Sequence, residues 1–402
     1  MTHRPWGQSL RPGLIVWLLG VSQIVGYGTL YYSFAILAED AAGDFGWPVA
    51  WLYGGFSVAL LVGGLAAPEA GRRIDRHGAG MVMAIGSLAA AVALLAMALA
   101  PGGMAFAIAI VFMEITATLV LYDAAFAALV QLTGHNARRH IIHLTLIAGF
   151  ASTIFWPLTA WLHEMLDWRA IYLGFAAANL IICLPIHVLI AREQRQIHRQ
   201  AALATDSAGQ SPSEPPAGQR RLLWLATIGF ALSGFALSAI LAQMVPLLTA
   251  LGLGASALWM ASLFGPAQVA IRFLNMLVGV NFHPVFGTLV AVGLVPLAIV
   301  LLTLSAPWTT GAILFAALLG FGSGLKSIVQ GTLPLALFGR TSYGALLGGM
   351  AAVRQVLAAI APFALAMAIE AVGAGPALWM LAVVGLAGFA CMVEVARTAP
   401  RG

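Results

Sequence analysis

Residues Pro48–Gly80 read PVAWLYGGFSVALLVGGLAAPEAGRRIDRHGAG. From Pro48 to Pro68 no side chain is charged, and then Glu69, Arg72, Arg73, Asp75, Arg76 and His77 crowd into one turn. A helix rises about 1.5 Å per residue, so the uncharged run is long enough to cross a hydrocarbon layer roughly 30 Å thick. It is apolar on every face, and a helix of that kind needs surroundings without water on all sides. The abrupt change to a charged turn marks where the chain meets water. Apolar sequence resumes at Ala79, so the chain turns back toward the layer it has just left.

The same alternation runs through all 402 residues, of which 61% are hydrophobic and 8% charged. Soluble domains carry about 25% charged residues. A soluble enzyme is thereby excluded, and so is disorder, which requires the opposite balance. Two cysteines, Cys183 and Cys391, exclude a disulfide scaffold and a four-thiolate metal site. Twelve apolar stretches follow one another: 13–38, 48–69, 79–100, 103–132, 141–162, 169–190, 222–250, 255–280, 285–304, 309–334, 342–369 and 375–395. They are too long for barrel strands and lack inside/outside alternation, so each is expected to be a helix. The first is too long for a signal-peptide core and is taken as an uncleaved span. The expected fold class is an all-α membrane protein of twelve transmembrane helices.

One polar segment interrupts the series. Residues 193–220, rich in Arg, Gln, Ser and Pro, form the expected linker between an N-terminal six-helix bundle (1–192) and a C-terminal one (221–402). A shift of 205 residues superposes Gly134 on Gly339 and Pro157 on Pro362, as a parallel repeat of the two bundles would.

The 19 basic residues orient the chain. With both termini cytoplasmic, fifteen fall in inner segments, Arg4 and Arg401 among them, one (Arg169) falls outside, and three lie within spans. The outer turns hold acids instead, namely Glu39, Asp40, Asp44, Glu164 and Asp167. This asymmetry accounts for the net charge of +5 without a nucleic-acid partner. Trp6, Trp47, Trp168 and Trp308, near span ends, are expected as interface anchors. His143 and His187 are likewise expected at the interface.

The turn Gly71-Arg-Arg-Ile-Asp75-Arg76-His-Gly78 resembles the signature loop of the major facilitator superfamily: Gly, Asp four later, a basic residue, Gly. Glycines permit a tight turn, and Asp75 at a helix N-terminus or on an Arg latches inner helix ends. Arg73 stands where that pattern has an apolar residue, and Ala79-Gly80 where it has a basic pair, which predicts a weaker latch. Gln23-Ile-Val-Gly-Tyr27-Gly-Thr-Leu-Tyr31-Tyr32-Ser-Phe followed by Asp44-Phe-Gly-Trp47 resembles the bacterial monocarboxylate-porter-like branch, as do Gly265-Pro-Ala-Gln268-Val-Ala-Ile-Arg272, Gly149–Pro157 and Gly331–Gly339. The resemblance implies a secondary transporter in the cell inner (plasma) membrane, monomeric and without cofactors. It also implies that spans 1, 2, 4, 5, 7, 8, 10 and 11 surround the substrate path.

Charge at mid-membrane costs at least about 2.5–3.5 kcal/mol, which makes intramembrane charges functional candidates. Five qualify: Glu114, Asp123, Arg272, Lys326 and Arg354. All lie on spans that the resemblance places at the path. Arg272 is the first candidate for a substrate anchor, because its fork matches a carboxylate; the competing reading is an ion pair with Asp123 or Glu114. Lys326, the only lysine, either binds anion or is the counter-ion of Glu114. Glu114 and Asp123 are the proton-coupling candidates, since burial and nearby cations act oppositely on a carboxyl; Asp123 alternatively gates or pairs with Arg272. Arg354 is assigned a structural role, with Gly71, Asp75, Arg76 and Gly78 at the gate. Gln23, Tyr27, Tyr31 and Gln268 complete the substrate-binding candidates. No phosphate loop, His-Glu-x-x-His or Cys-x-x-Cys occurs, so ATP-driven transport and metal-centred catalysis find no support.

The expected function is transport of a small organic anion such as a monocarboxylate, coupled to protons, by alternating access. The alternatives are proton-driven efflux of a drug or toxic compound, arsenicals included, and a membrane receptor or enzyme on the same fold.

Overall fold

The computed structural model describes residues 10–204, 217–278 and 282–399, and all regular structure among them is helical. Arg4, Trp6, Arg401 and the middle of the expected linker lie outside the described residues. Among the described residues, eleven helical stretches are long and apolar enough to cross a membrane. Ten run 20–36 residues, and Gly103–His163 runs 61.

The described residues form two compact units, Met1–Ser213 with Arg340–Gly349, and Glu214–Gly339 with Met350–Gly402. The first contains α1 (Pro12–Tyr27), α2 (Phe34–Asp44), α3 (Val49–His77), α4 (Ala79–Ala98), α5 (Gly103–Val120), α6 (Tyr122–Thr133), α7 (Ala137–Ala148), α8 (Ala151–His163), α9 (Trp168–Ala178) and α10 (Leu184–Ala204). The second contains α11 (Ala217–Leu248), α12 (Ala257–Ser262), α13 (Phe264–Val278), α14 (Pro284–Ser305), α15 (Thr309–Phe338), most of α16 (Tyr343–Val372) and α17 (Ala374–Thr398).

The packing inside one unit recurs inside the other. In the first, α4 lies against α5 and α10, and α3 against α5. In the second, α14 lies against α15 and α17, and α13 against α15. The offset of 205 marks the same events in both. Gly134 and Gly339 each end a helix with positive φ, +55° and +77°, where a side chain would be strained. Pro157 and Pro362 each stand inside the following apolar stretch.

Residues 193–204, at the start of the expected linker, are helical as the end of α10, and Glu193 and Gln194 there are buried. Two sequence expectations change. Trp168 is no interface anchor. It is 2% exposed, wedged among Phe45, Phe106 and Tyr172, and its indole donates to Asp44 at 2.8 Å. Beside it, Arg169 caps the carbonyls of Ala98 and Ala100 at 2.9 and 2.8 Å, so this arginine is held at the end of α4. His187 is buried as well, its Nδ1 2.6 Å from the Ser87 hydroxyl. An aromatic or imidazole ring near a span end satisfies a membrane interface or a polar partner equally well, and only packing distinguishes them.

Candidate substrate and coupling site

The first unit builds its cluster on two irregular helices. Gly28–Tyr32 is a π-helical turn following α1, and such turns are frequent at functional sites. The ring of Phe155 occupies the place where a Gly28 side chain would stand, so α8 approaches here only because residue 28 is glycine. The expected fourth span is broken. Leu121 is extended (φ −83°, ψ −163°) between α5 and α6. The Gln23 amide donates to the Val120 carbonyl at the break, 2.7 Å away. Gln23 is therefore fully buried as a brace between α1 and the break.

Around these irregularities the aromatic side chains meet. The Tyr27 ring packs at a tilt against Tyr122 (4.8 Å between ring centres) and Tyr32 (6.3 Å). Tyr31, 44% exposed, reaches Tyr32 and Phe56, and Tyr32 reaches Trp156. Tyr31 lies within electrostatic range of Glu114. Glu114 itself, on α5, is 6% exposed, and its Oε1 has no hydrogen-bond partner among the described residues. Gly63 of α3 backs it, since a Cβ there would stand 2.9 Å from the Glu114 carbonyl. Asp123 falls in the first turn of α6, where the helix dipole favours an acid.

The second unit collects cations. Arg272 on α13 is 5% exposed, and its Nε donates to the Ser327 hydroxyl of α15 at 3.2 Å. One turn earlier, Gln268 donates to Ser323 at 2.8 Å. These rungs are possible because Gly320 and Gly324 let α13 lie directly on α15; a Cβ on Gly324 would stand 2.6 Å from the Gln268 carbonyl. Lys326, also 5% exposed, extends to Gly234 of α11, with its Nζ 3.1 Å from where a Cβ would sit. Arg354 passes the same glycine, its Cγ 3.5 Å from that point. Between residues 217 and 399 the only carboxylates are Glu370 and Glu394, and Glu394 is engaged by Arg221 at 3.0 Å. Among the described residues, neither Arg272 nor Lys326 forms an ion pair.

The signature turn makes its latch inside the first unit. Asp75 accepts hydrogen bonds from the backbone N–H groups of Gly344 and Ala345, at 2.9 and 2.7 Å. These are free donors at the start of α16, and a carboxylate there is favoured by both hydrogen bonding and the dipole. Small residues allow the approach. Gly71 presses on Gly344, and Gly348 on the Ala67 carbonyl, so Ala67-xxx-Gly71 crosses Gly344-xxx-Gly348. Gly78, at φ +86°, ends α3. The departures from the family pattern have physical roles. Gly80 leaves room for Ala191 of α10, and its N–H donates to Gln194 at 2.7 Å. Gln194 in turn bonds Gln131, which accepts from the Ala79 N–H at 2.9 Å. Two glutamines thus cap α4 where a basic pair was expected. Arg73 faces outward onto Glu69. With these departures in place, Asp75 makes both of its bonds to α16.

The profile of the Major Facilitator Superfamily matches residues 16–362. This chain belongs to that superfamily. No curated protein matches the sequence at a significant level. Among solved structures, the human organic anion transporter MFSD10 (TETRAN) superposes with a TM-score of 0.65 at 18% identity, over 94% of this chain and 98% of that one. The proton:xylose symporter XylE, bound to 6-bromo-6-deoxy-D-glucose, gives 0.69 at 14% identity over 96% of each chain. FucP, a superfamily transporter in the outward conformation, gives 0.63 at 14% identity over 96% of this chain and 99% of that one. At these identities the likeness is one of fold. The superfamily member is thus a multi-pass membrane transporter of small molecules.

Proposed function

We propose that this transporter moves a small organic anion, monocarboxylate-like, in company with protons, by alternating access in the inner (plasma) membrane. The observation that carries the reading is the cation content of the second unit: Arg272 and Lys326 are buried, Arg354 adjoins Lys326, and no carboxylate of 217–399 pairs with the first two. A buried cation without a partner is costly, and an anionic substrate supplies one. Arg272 anchors the carboxylate bidentately with its remaining N–H donors, and Lys326 contributes a compact second charge. Glu114 carries the proton, with Tyr31 beside it; Asp123 and Arg354 act in gating. Tyr27 and Gln268 shape the path, while Gln23 braces the break at Leu121. The Asp75 latch, with Gly71, Arg76 and Gly78, holds one conformation.

In this reading Gly103–His163 crosses twice, turning at Gly134. A single helix of 61 residues would span about 90 Å, three times the hydrocarbon thickness. Twelve crossings follow from this reading, and the preference for basic inner turns supports cytoplasmic termini. The protein acts as a monomer, with an affinity to the monocarboxylate-porter-like branch. The aromatic cluster of the first unit supports a second reading, proton-driven efflux of an aromatic compound. Proteoliposomes separate the two. Uptake of a labelled carboxylate that rises with an imposed pH gradient supports anion symport; no response across a carboxylate panel, with pH-driven movement of aromatic cations, supports efflux instead.

A further inference from the structure

The first unit contains a second basic feature, separate from the intramembrane charges. A cavity of about 870 Å³ opens beside the latch, walled by α3, α4, α10 and the Arg340–Ala345 segment. Arg72, Arg76, Arg195, Arg199 and Arg340 line it, with Asp75 the only acid. Asp75 is already committed, because both its oxygens accept backbone N–H groups of α16. Arg72 is committed too, paired with Glu69 at 2.7 Å. Arg76, Arg195, Arg199 and Arg340 remain, and among the described residues none of the four forms an ion pair.

A preference for basic inner turns accounts for how many arginines lie on this side. It does not account for four guanidinium groups, from three separate segments of chain, facing one cavity of ligand size. Guanidinium forks match phosphate oxygens, and basic pockets between membrane helices are suited to phosphate-bearing head groups. We propose that this cavity is a binding site for a phosphate-bearing anion, either the head group of an acidic phospholipid or a soluble di- or polyphosphate. Such an anion bridges α3 and α10 to the segment that carries Arg340 and leads into α16. It therefore binds more tightly while the latch is made, and by reciprocity stabilises the latched state. The site does not depend on the identity of the transported substrate.

The test uses the full-length protein in neutral detergent. Binding of dioleoylphosphatidylglycerol and of dioleoylphosphatidylcholine is followed by native mass spectrometry, and binding of inorganic pyrophosphate by calorimetry. Arg195→Gln/Arg199→Gln and, independently, Arg340→Gln are compared with Arg139→Gln/Arg192→Gln, a charge-matched control whose side chains do not line the cavity. Thermal unfolding checks that each variant is folded. The expected result is saturable binding of phosphatidylglycerol or pyrophosphate but not phosphatidylcholine. It is weakened about tenfold or more in the cavity variants, by loss of charge-assisted hydrogen bonds, and unchanged in the control. Pyrophosphate that binds and displaces the lipid identifies a soluble phosphate as a competent ligand; binding of the lipid alone identifies the head group. Absence of saturable binding of either, or equal weakening in the cavity variants and the control, overturns the site.

Discussion

The two units share a packing scheme and differ in the charge they hold. The first keeps its functional candidates on broken helices: a π-helical turn at Gly28–Tyr32, an extended residue at Leu121, and a buried acid, Glu114, within electrostatic range of Tyr31. The second keeps α15 unbroken from Thr309 to Phe338 and holds cations instead. At the repeat offset of 205, Leu121 corresponds to Lys326. Where one unit interrupts its helix, the other retains the helix and places a charge on it. A repeat therefore preserves helix-to-helix packing, which is set by small residues and volume, while chemistry diverges at single positions that packing tolerates.

The contrast makes its largest demand on Arg272. If the second unit binds the anion, Arg272→Ala costs about 2–5 kcal/mol of transition-state or substrate affinity, roughly thirtyfold or more in uptake efficiency. Arg272→Lys recovers only part of it, since an ammonium lacks the fork. Normal uptake by the alanine variant would remove the anchor. The first unit is next. Glu114→Gln is expected to abolish accumulation driven by a pH gradient while leaving exchange of labelled for unlabelled substrate intact. Loss of both activities together would show that Glu114 serves folding or binding and not proton coupling.

Packing within the second unit follows. Gly324→Leu drives a side chain into the Gln268 backbone and is expected to destabilise by about 1–3 kcal/mol, read as a lowered thermal midpoint in detergent. An unchanged midpoint would mean that α13 and α15 are farther apart than described. Asp75→Ala carries the smallest effect. Losing a helix-terminal acceptor is worth about 0.5–2 kcal/mol, seen as faster proteolysis near residue 340 with little change in binding of substrate. Equal proteolysis would show that glycine packing alone holds the latch.

Much of the architecture was legible because water and hydrocarbon impose one-dimensional rules. Uncharged runs, basic turns and five intramembrane charges each report the surroundings of a residue, and those surroundings follow its own chemistry. The break at Leu121 was not legible: Val120-Leu121-Tyr122 contains no glycine or proline, and the interruption is stabilised by Gln23, distant in sequence. The brace made by the Gln23 Nε2 was equally hidden, and its Oε1 has no hydrogen-bond partner among the described residues. Trp168 and His187 sit near span ends by position, and the partners they meet, the exposed Asp44 and the buried Ser87, come from other helices. The latch was half legible, since the Asp75 turn is contiguous while Gly344 and Ala345 lie 269 and 270 residues away.

The amino-acid order thus decided that this is a helical membrane protein, where it turns, and which charges enter the apolar layer. Those outcomes depend on transfer free energies, which belong to residues singly. Tertiary structure alone decided which charge has a partner. It left Arg272 with a serine, Lys326 against a glycine, Glu114 with an unbonded oxygen, and four of the five arginines around one cavity without an ion pair among the described residues. Partnership is a property of pairs brought together by packing, and no local pattern encodes it.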